Sequence, residues 1–139
     1  SITYETNGTQ TLKEPFKEWI KNCDTEIFFS VSPKLFTVSG EKTEKAIKPE
    51  TVAEYYKLRK TGQLKFVVGE KDREWDEMES AIEKFRNAGV EWPVWVMPTG
   101  AREEEQVSGA GKVAEKAFKK GYNVAARVHV YLFGNAIGT

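Results

Sequence analysis

Short apolar runs alternate with amphipathic helical stretches along this chain, and that alternation limits what it can fold into more than any other feature. The runs 2–6, 26–31, 63–68, 93–97 and 126–133 are short and rich in β-branched or aromatic residues, as strands require. Between them lie helical patterns. Trp75, Met78, Ile82 and Phe85 recur at steps of three and four, giving the buried stripe of a helix over 73–88. Asp72 is placed to cap its start and Gly89 to end it. Leu12, Phe16, Trp19 and Ile20 mark a helix over 12–21, and Pro49 opens another that stops at Gly62. A fourth begins at Arg102, with Glu103, Glu104 and Glu105 suited to the positive end of the helix dipole, and closes at Gly121. The polar, non-periodic segment 36–48 reads as a long loop. This order predicts an α/β fold, a parallel sheet of about five strands joined by right-handed helical crossovers. No linker, repeat or low-complexity tract divides it, so residues 1–139 are expected to form a single α/β unit.

Composition narrows the function classes. Lys plus Arg equals Asp plus Glu at 21 each, interspersed rather than blocked, which argues against a nucleic-acid surface. No apolar run approaches a membrane span and no signal-peptide pattern opens the chain, so a cytoplasmic location is expected. One cysteine, Cys23, excludes an internal disulfide and a cysteine-only metal site. It sits at a polar helix end with no partner for nucleophilic work. Ser108 to Lys112 has the look of a phosphate loop, but Gln106 stands where the earlier glycine belongs, Val113 where Ser or Thr belongs, and the pattern around it is helical. Asn7-Gly8-Thr9 is a formal glycosylation sequon without meaning in a cytosolic chain. Trp92 and Trp95 read as core.

The strands themselves carry the functional signal. Parallel strands covered on both faces should be continuously apolar, yet these alternate. Thr3, Glu5 and Asn7 share one face of the first run, Ser30 and Ser32 of the second, Gln63 and Lys65 of the third, Arg127 and His129 of the last. The opposite parity carries Ile2, Tyr4, Leu64, Phe66, Val128, Val130 and Leu132. Burying so many polar groups unpaired costs several kcal/mol each, so that face is either internally paired or lined by solvent and ligand. Glu5 with Lys65 or Arg127 as a structural ion pair is one reading; a concave, ligand-lined sheet is the other. His129, beside Arg127, is open in the same way between a satisfied core histidine and a functional one.

Four stretches, in order, resemble one family. Glu5-Thr6-Asn7-Gly8-Thr9 is similar to the Glu-Thr-Asn-Gly-Thr that ends a central strand in the 7-carboxy-7-deazaguanine synthases, radical S-adenosylmethionine enzymes. Val31-Ser32-Pro33-Lys34 resembles the Ser-Pro-Lys turn after their next strand. Met97-Pro98-Thr99-Gly100, followed by the acidic Glu103 to Glu105, resembles their Met-Pro-x-Gly turn. His129 with Leu132-Phe133-Gly134-Asn135 and the closing Gly138-Thr139 resembles their C-terminal histidine strand and tail.

The resemblance implies a lyase-type ring contraction of 6-carboxy-tetrahydropterin to 7-carboxy-7-deazaguanine, on the route to queuosine, in half of a partial (β/α) barrel of the radical SAM type. It implies that Ser32, Pro33, Lys34, Met97, Pro98, Thr99 and Gly100 contact S-adenosylmethionine, that Glu5 and His129 contact the pterin, and that the enzyme is a homodimer. The family's Cys-x-x-x-Cys-x-x-Cys motif is absent, as is its Gly-Gly-Glu-Pro turn. The chain therefore corresponds to the C-terminal half, with its edge beside residues 2–6 open. The [4Fe–4S] cluster and magnesium would belong to the complete enzyme, and no metal ligand is expected here. Two other readings remain: a stand-alone S-adenosylmethionine or pterin-binding module, and a pairing subunit completed by a separate cluster-bearing protein.

Overall fold

The structure, a computed structural model, describes residues 1–99 and 103–125, with residues 103–110 described by their backbone alone. Among the described residues five strands form one sheet in chain order: β1 (Ile2–Thr6), β2 (Ile27–Val31), β3 (Gly62–Val68), β4 (Val94–Pro98) and β5 (Asn123–Val124). Every neighbouring pair is parallel. The connections carry α1 (Glu14–Asn22), two single-turn helices α2 (Phe36–Ser39) and α3 (Thr43–Ala46), α4 (Pro49–Leu58), α5 (Asp72–Asn87) and α6 (Glu103–Lys119). Strand order never reverses. Crossovers of one hand that always step in one direction deliver their helices to one side of a sheet, so among the described residues the other side has no helix layer.

Burial along the strands agrees. In β3, Leu64, Phe66 and Val68 are fully buried while Gln63, Lys65 and Val67 are half-buried. The buried parity continues through Ile27, Phe29 and Val31 of β2 and Val94 and Val96 of β4, all in one cluster with Ile20 of α1, Tyr55 of α4, Trp75, Met78 and Phe85 of α5, and Val113 and Ala117 of α6. Phe29 lies at its centre, stacked on Tyr55 at 5.3 Å and on Trp92 at 5.9 Å between ring centroids. Burying a side chain of that size contributes about 1.5–3 kcal/mol, so this face supplies most of the stability. Among the described residues β1 is an edge strand, pairing with β2 alone, and its Ile2 is 44% exposed.

The structure refines several expectations. Gly62 does not end α4, which stops at Leu58; it opens β3 instead. A Cβ there would lie 2.6 Å from both the Phe29 carbonyl oxygen and the Trp92 ring, so close packing rather than helix termination accounts for the glycine. Asp72 is the first residue of α5 and not its cap; Lys71 is the N-cap, and the Glu74 carboxylate accepts the Gly69 and Lys71 N–H groups. The segment 36–48 is not a plain loop, since it folds into α2 and α3. β5 lies at Asn123–Val124, ahead of the expected run 126–133, which falls outside the described residues. Residues 108–112 lie within α6, where no phosphate loop would be. No helix among the described residues is long and apolar enough to cross a membrane.

Candidate functional site on the open face of the sheet

Because side chains alternate and register is fixed, the uncovered face can be read row by row. Glu5, Ser30 and Gln63 are register partners across β1, β2 and β3. Lys65, Trp95 and Asn123 form a second row across β3, β4 and β5, and Val67 pairs with Met97. Trp95 therefore stands half-buried on the open face and not in the core. Its parity with Met97 was the available signal, which its aromatic character obscured. Trp92, by contrast, is fully buried.

An open cleft of about 270 Å³ is lined by Glu5, Thr6, Asn7, Ser30, Ser32, Lys34 and Lys65. Beside it Gln63 donates a 3.0 Å hydrogen bond to the buried Ser30 hydroxyl, so that pair is internally satisfied. Among the described residues the charged groups are not. Glu5, Lys34 and Lys65 form no ion pair among the described residues, and the structural pairing of Glu5 with Lys65 does not occur. Its other candidate partner, Arg127, lies outside the described residues, as do His129 and Gly100. One carboxylate and one ammonium group from the sheet, Glu5 and Lys65, and a second ammonium from the turn after β2, Lys34, thus line one open cleft, an arrangement suited to a polar small molecule carrying both charges.

The cleft's rim is built by turns at the carboxyl ends of strands. After β1 the Asn7 side-chain oxygen accepts from the Thr9 N–H at 3.1 Å and the Thr9 hydroxyl at 2.8 Å, and the Gly8 N–H donates to the Thr6 hydroxyl oxygen at 3.1 Å. Gly8 has φ +80°, and a Cβ on it would meet Val31 and Val52 methyls at 2.9 Å, so the turn requires glycine both for conformation and for space. Beneath this turn the Tyr55 hydroxyl donates to the Gln10 carbonyl. Burial pushes its phenol above the ordinary 10.0.

After β2 the Ser32 N–H donates to the Thr6 carbonyl at 2.8 Å, extending the ladder by one bond and fixing Ser32 beside β1. Ser32, Pro33 and Lys34 also border a second cleft of about 200 Å³, completed by Leu35, Val38, Ser39 and Val67. After β4, Thr99 donates its N–H to the Val68 carbonyl at 3.0 Å. Met97 lies on the open face beside Val67, whereas Pro98 is buried on the helix side. Of the expected contacts, then, Glu5, Ser32 and Lys34 share one cleft, Pro33 joins the second, and Met97 lies one strand beyond it. Asn7, Ser30 and Lys65, which the strand alternation had placed on the polar face, line the first cleft with them.

Cys23 is half-buried at the end of α1, its sulfur 3.7 Å from the Ile20 carbonyl, 3.6 Å from that of Thr25 and 3.4 Å from the Arg59 guanidinium. No group of three His, Cys, Asp or Glu side chains placed to hold a metal ion occurs among the described residues. An iron–sulfur cluster needs several thiolates, so the residues of this chain do not fit one. Compared with models of protein families, with curated proteins and with solved structures, the chain matches none.

Proposed function

We propose that the open face binds S-adenosylmethionine and a pterin, as part of a radical enzyme resembling the 7-carboxy-7-deazaguanine synthases and acting in the cytoplasm. In this reading the sheet belongs to a partial (β/α) barrel. Ser32, Pro33, Lys34 and the turn Met97 to Gly100 contact the cofactor, while Glu5 and His129 contact 6-carboxy-tetrahydropterin. The cluster, and with it the electron that cleaves S-adenosylmethionine, comes from residues outside this chain. The observation that carries the reading is that Glu5, Ser32 and Lys34, from two separate sequence stretches, line one uncovered cleft at the carboxyl ends of adjoining parallel strands. Ligands of parallel sheets sit at that end.

Titration calorimetry of S-adenosylmethionine into the folded chain tests this. Saturable heat, reduced by about tenfold or more in affinity on Lys34→Ala and untouched by a distant change such as Lys119→Ala, is the expected result. A folded chain that gives no heat with S-adenosylmethionine or with the pterin sinks the reading.

The lone, backbone-packed Cys23 favours a second reading, a module that binds the same ligands without radical chemistry. The reading frame directly upstream of the Ser1 codon separates the two. A Cys-x-x-x-Cys-x-x-Cys segment in frame supports the enzyme; a stop codon followed by a start supports the module.

A further inference from the structure

The turn that carries Lys34 is held from a distance. Helix α2 begins immediately after it, at Phe36, and its own N-cap residue, Leu35, offers no side-chain acceptor. Instead Glu77, on α5, reaches across and accepts three hydrogen bonds with one carboxylate: the Phe36 N–H at 2.6 Å, the Thr37 N–H at 2.8 Å and the Thr37 hydroxyl at 2.6 Å. A helix start leaves such N–H groups without partners, and a carboxylate is the strongest acceptor for them. The cap is thus supplied from about forty residues later in the chain.

Core packing does not explain this grip. None of the four residues of α2 is buried, and Phe36 and Val38 are exposed. What the grip fixes is the backbone just before it. From Ser32, tied to Thr6, through the buried Pro33 and Leu35, to the clamped Phe36 and Thr37, the strand-to-helix connection is anchored on both sides of Lys34. Lys34 is exposed in the middle and lines both clefts. An ammonium on a flexible stem loses less freedom on binding when its backbone is already fixed.

We propose that Glu77 is a positioning residue, which sets Lys34 between the two clefts for the ligand of the open face. The inference rests on the reading of that face as a ligand site. Glu77 touches no ligand in this account; it acts through the 32–37 backbone.

The test is a double-mutant cycle in the full chain, with S-adenosylmethionine as the probe and hydrogen exchange at Phe36 and Thr37 as a second readout. Glu77→Ala should weaken binding about tenfold and expose both amides to exchange, while α5 keeps its protection. Glu77→Gln, which retains one oxygen acceptor, should fall between. Because Glu77 works through Lys34, adding Glu77→Ala to Lys34→Ala should weaken binding by less than about twofold further. Binding that Glu77→Ala leaves unchanged, or a full additive loss in the double variant, overturns the positioning role and leaves the ligand site standing. If the unmutated chain binds no S-adenosylmethionine while its two amides are protected and Glu77→Ala releases them, the ligand reading falls. The positioning role falls with it, and Glu77 is then a structural cap only.

Discussion

The two faces of one sheet meet different physical demands. On the helix side, β3 presents Leu64, Phe66 and Val68, all fully buried against α5 and its neighbours. On the other side the intervening residues of the same strand are Gln63, Lys65 and Val67, all half-buried, with Lys65 and Val67 lining clefts. Stability is therefore concentrated on one parity and chemical versatility on the other. A residue on the open face can be polar or charged because it is not required to exclude water, and it is held in place by a backbone that the opposite face makes rigid.

That contrast can be broken or sharpened by substitution. The largest effect belongs to the covered face: Phe66→Ala should cost about 3–5 kcal/mol in urea unfolding, through lost burial and the cavity left behind. A loss under about 1 kcal/mol would mean the helix face is not the packed core. Gly8→Ala comes next, at about 2–4 kcal/mol, since it combines a left-handed backbone with methyl contacts that must shift. The same variant should lower ligand affinity, because the turn borders the polar cleft. Full stability in Gly8→Ala would show that the turn has room the structure denies.

Tyr55→Phe should cost about 1 kcal/mol near neutrality, from the lost hydrogen bond to Gln10. It also carries a pH signature. Burial raises the Tyr55 pKa in the folded state, so the fold holds that proton more tightly than the unfolded chain does. The corresponding stability is present below pH 10 and is lost as pH rises through the folded value. Unfolding midpoints followed from pH 8 upward should fall more steeply in the native chain than in Tyr55→Phe, and parallel curves would refute this. The smallest stability effect belongs to the open face. Lys65→Ala should change unfolding by no more than about 0.5 kcal/mol. Its ligand affinity should nonetheless drop several-fold in calorimetry; a large loss of stability with unchanged binding would reverse the assignment of the two faces.

Much of this was legible from the chain. Periodicity placed β1 at its observed bounds and α5 within one residue at each end, because long amphipathic stripes and alternating strands report directly which side meets water. The polar parity of Glu5, Ser30, Gln63 and Lys65 likewise set one face apart from the sequence alone, while leaving open whether it was internally paired or lined by solvent and ligand. Other features depended on distance in space. Whether Glu5 pairs with Lys65 is a question of register and side-chain direction, and no spacing along the chain could answer it. Trp95 was misread because an aromatic residue in a strand is as compatible with an open face as with a core; only its register with Lys65 and Asn123 assigns it. Gly62 looked like a helix stop, yet its reason is the Trp92 ring thirty residues on. The cap of α2 by Glu77 could not be read locally at all, since its donors and acceptor come from elements that meet only once the sheet has brought α5 beside the end of β2. The sequence by itself determined which elements form and which face of each is apolar, since these follow from short-range periodicity. The tertiary structure alone decided which polar groups became neighbours, since hydrogen bonds and ion pairs act over a few ångströms between residues far apart in the chain.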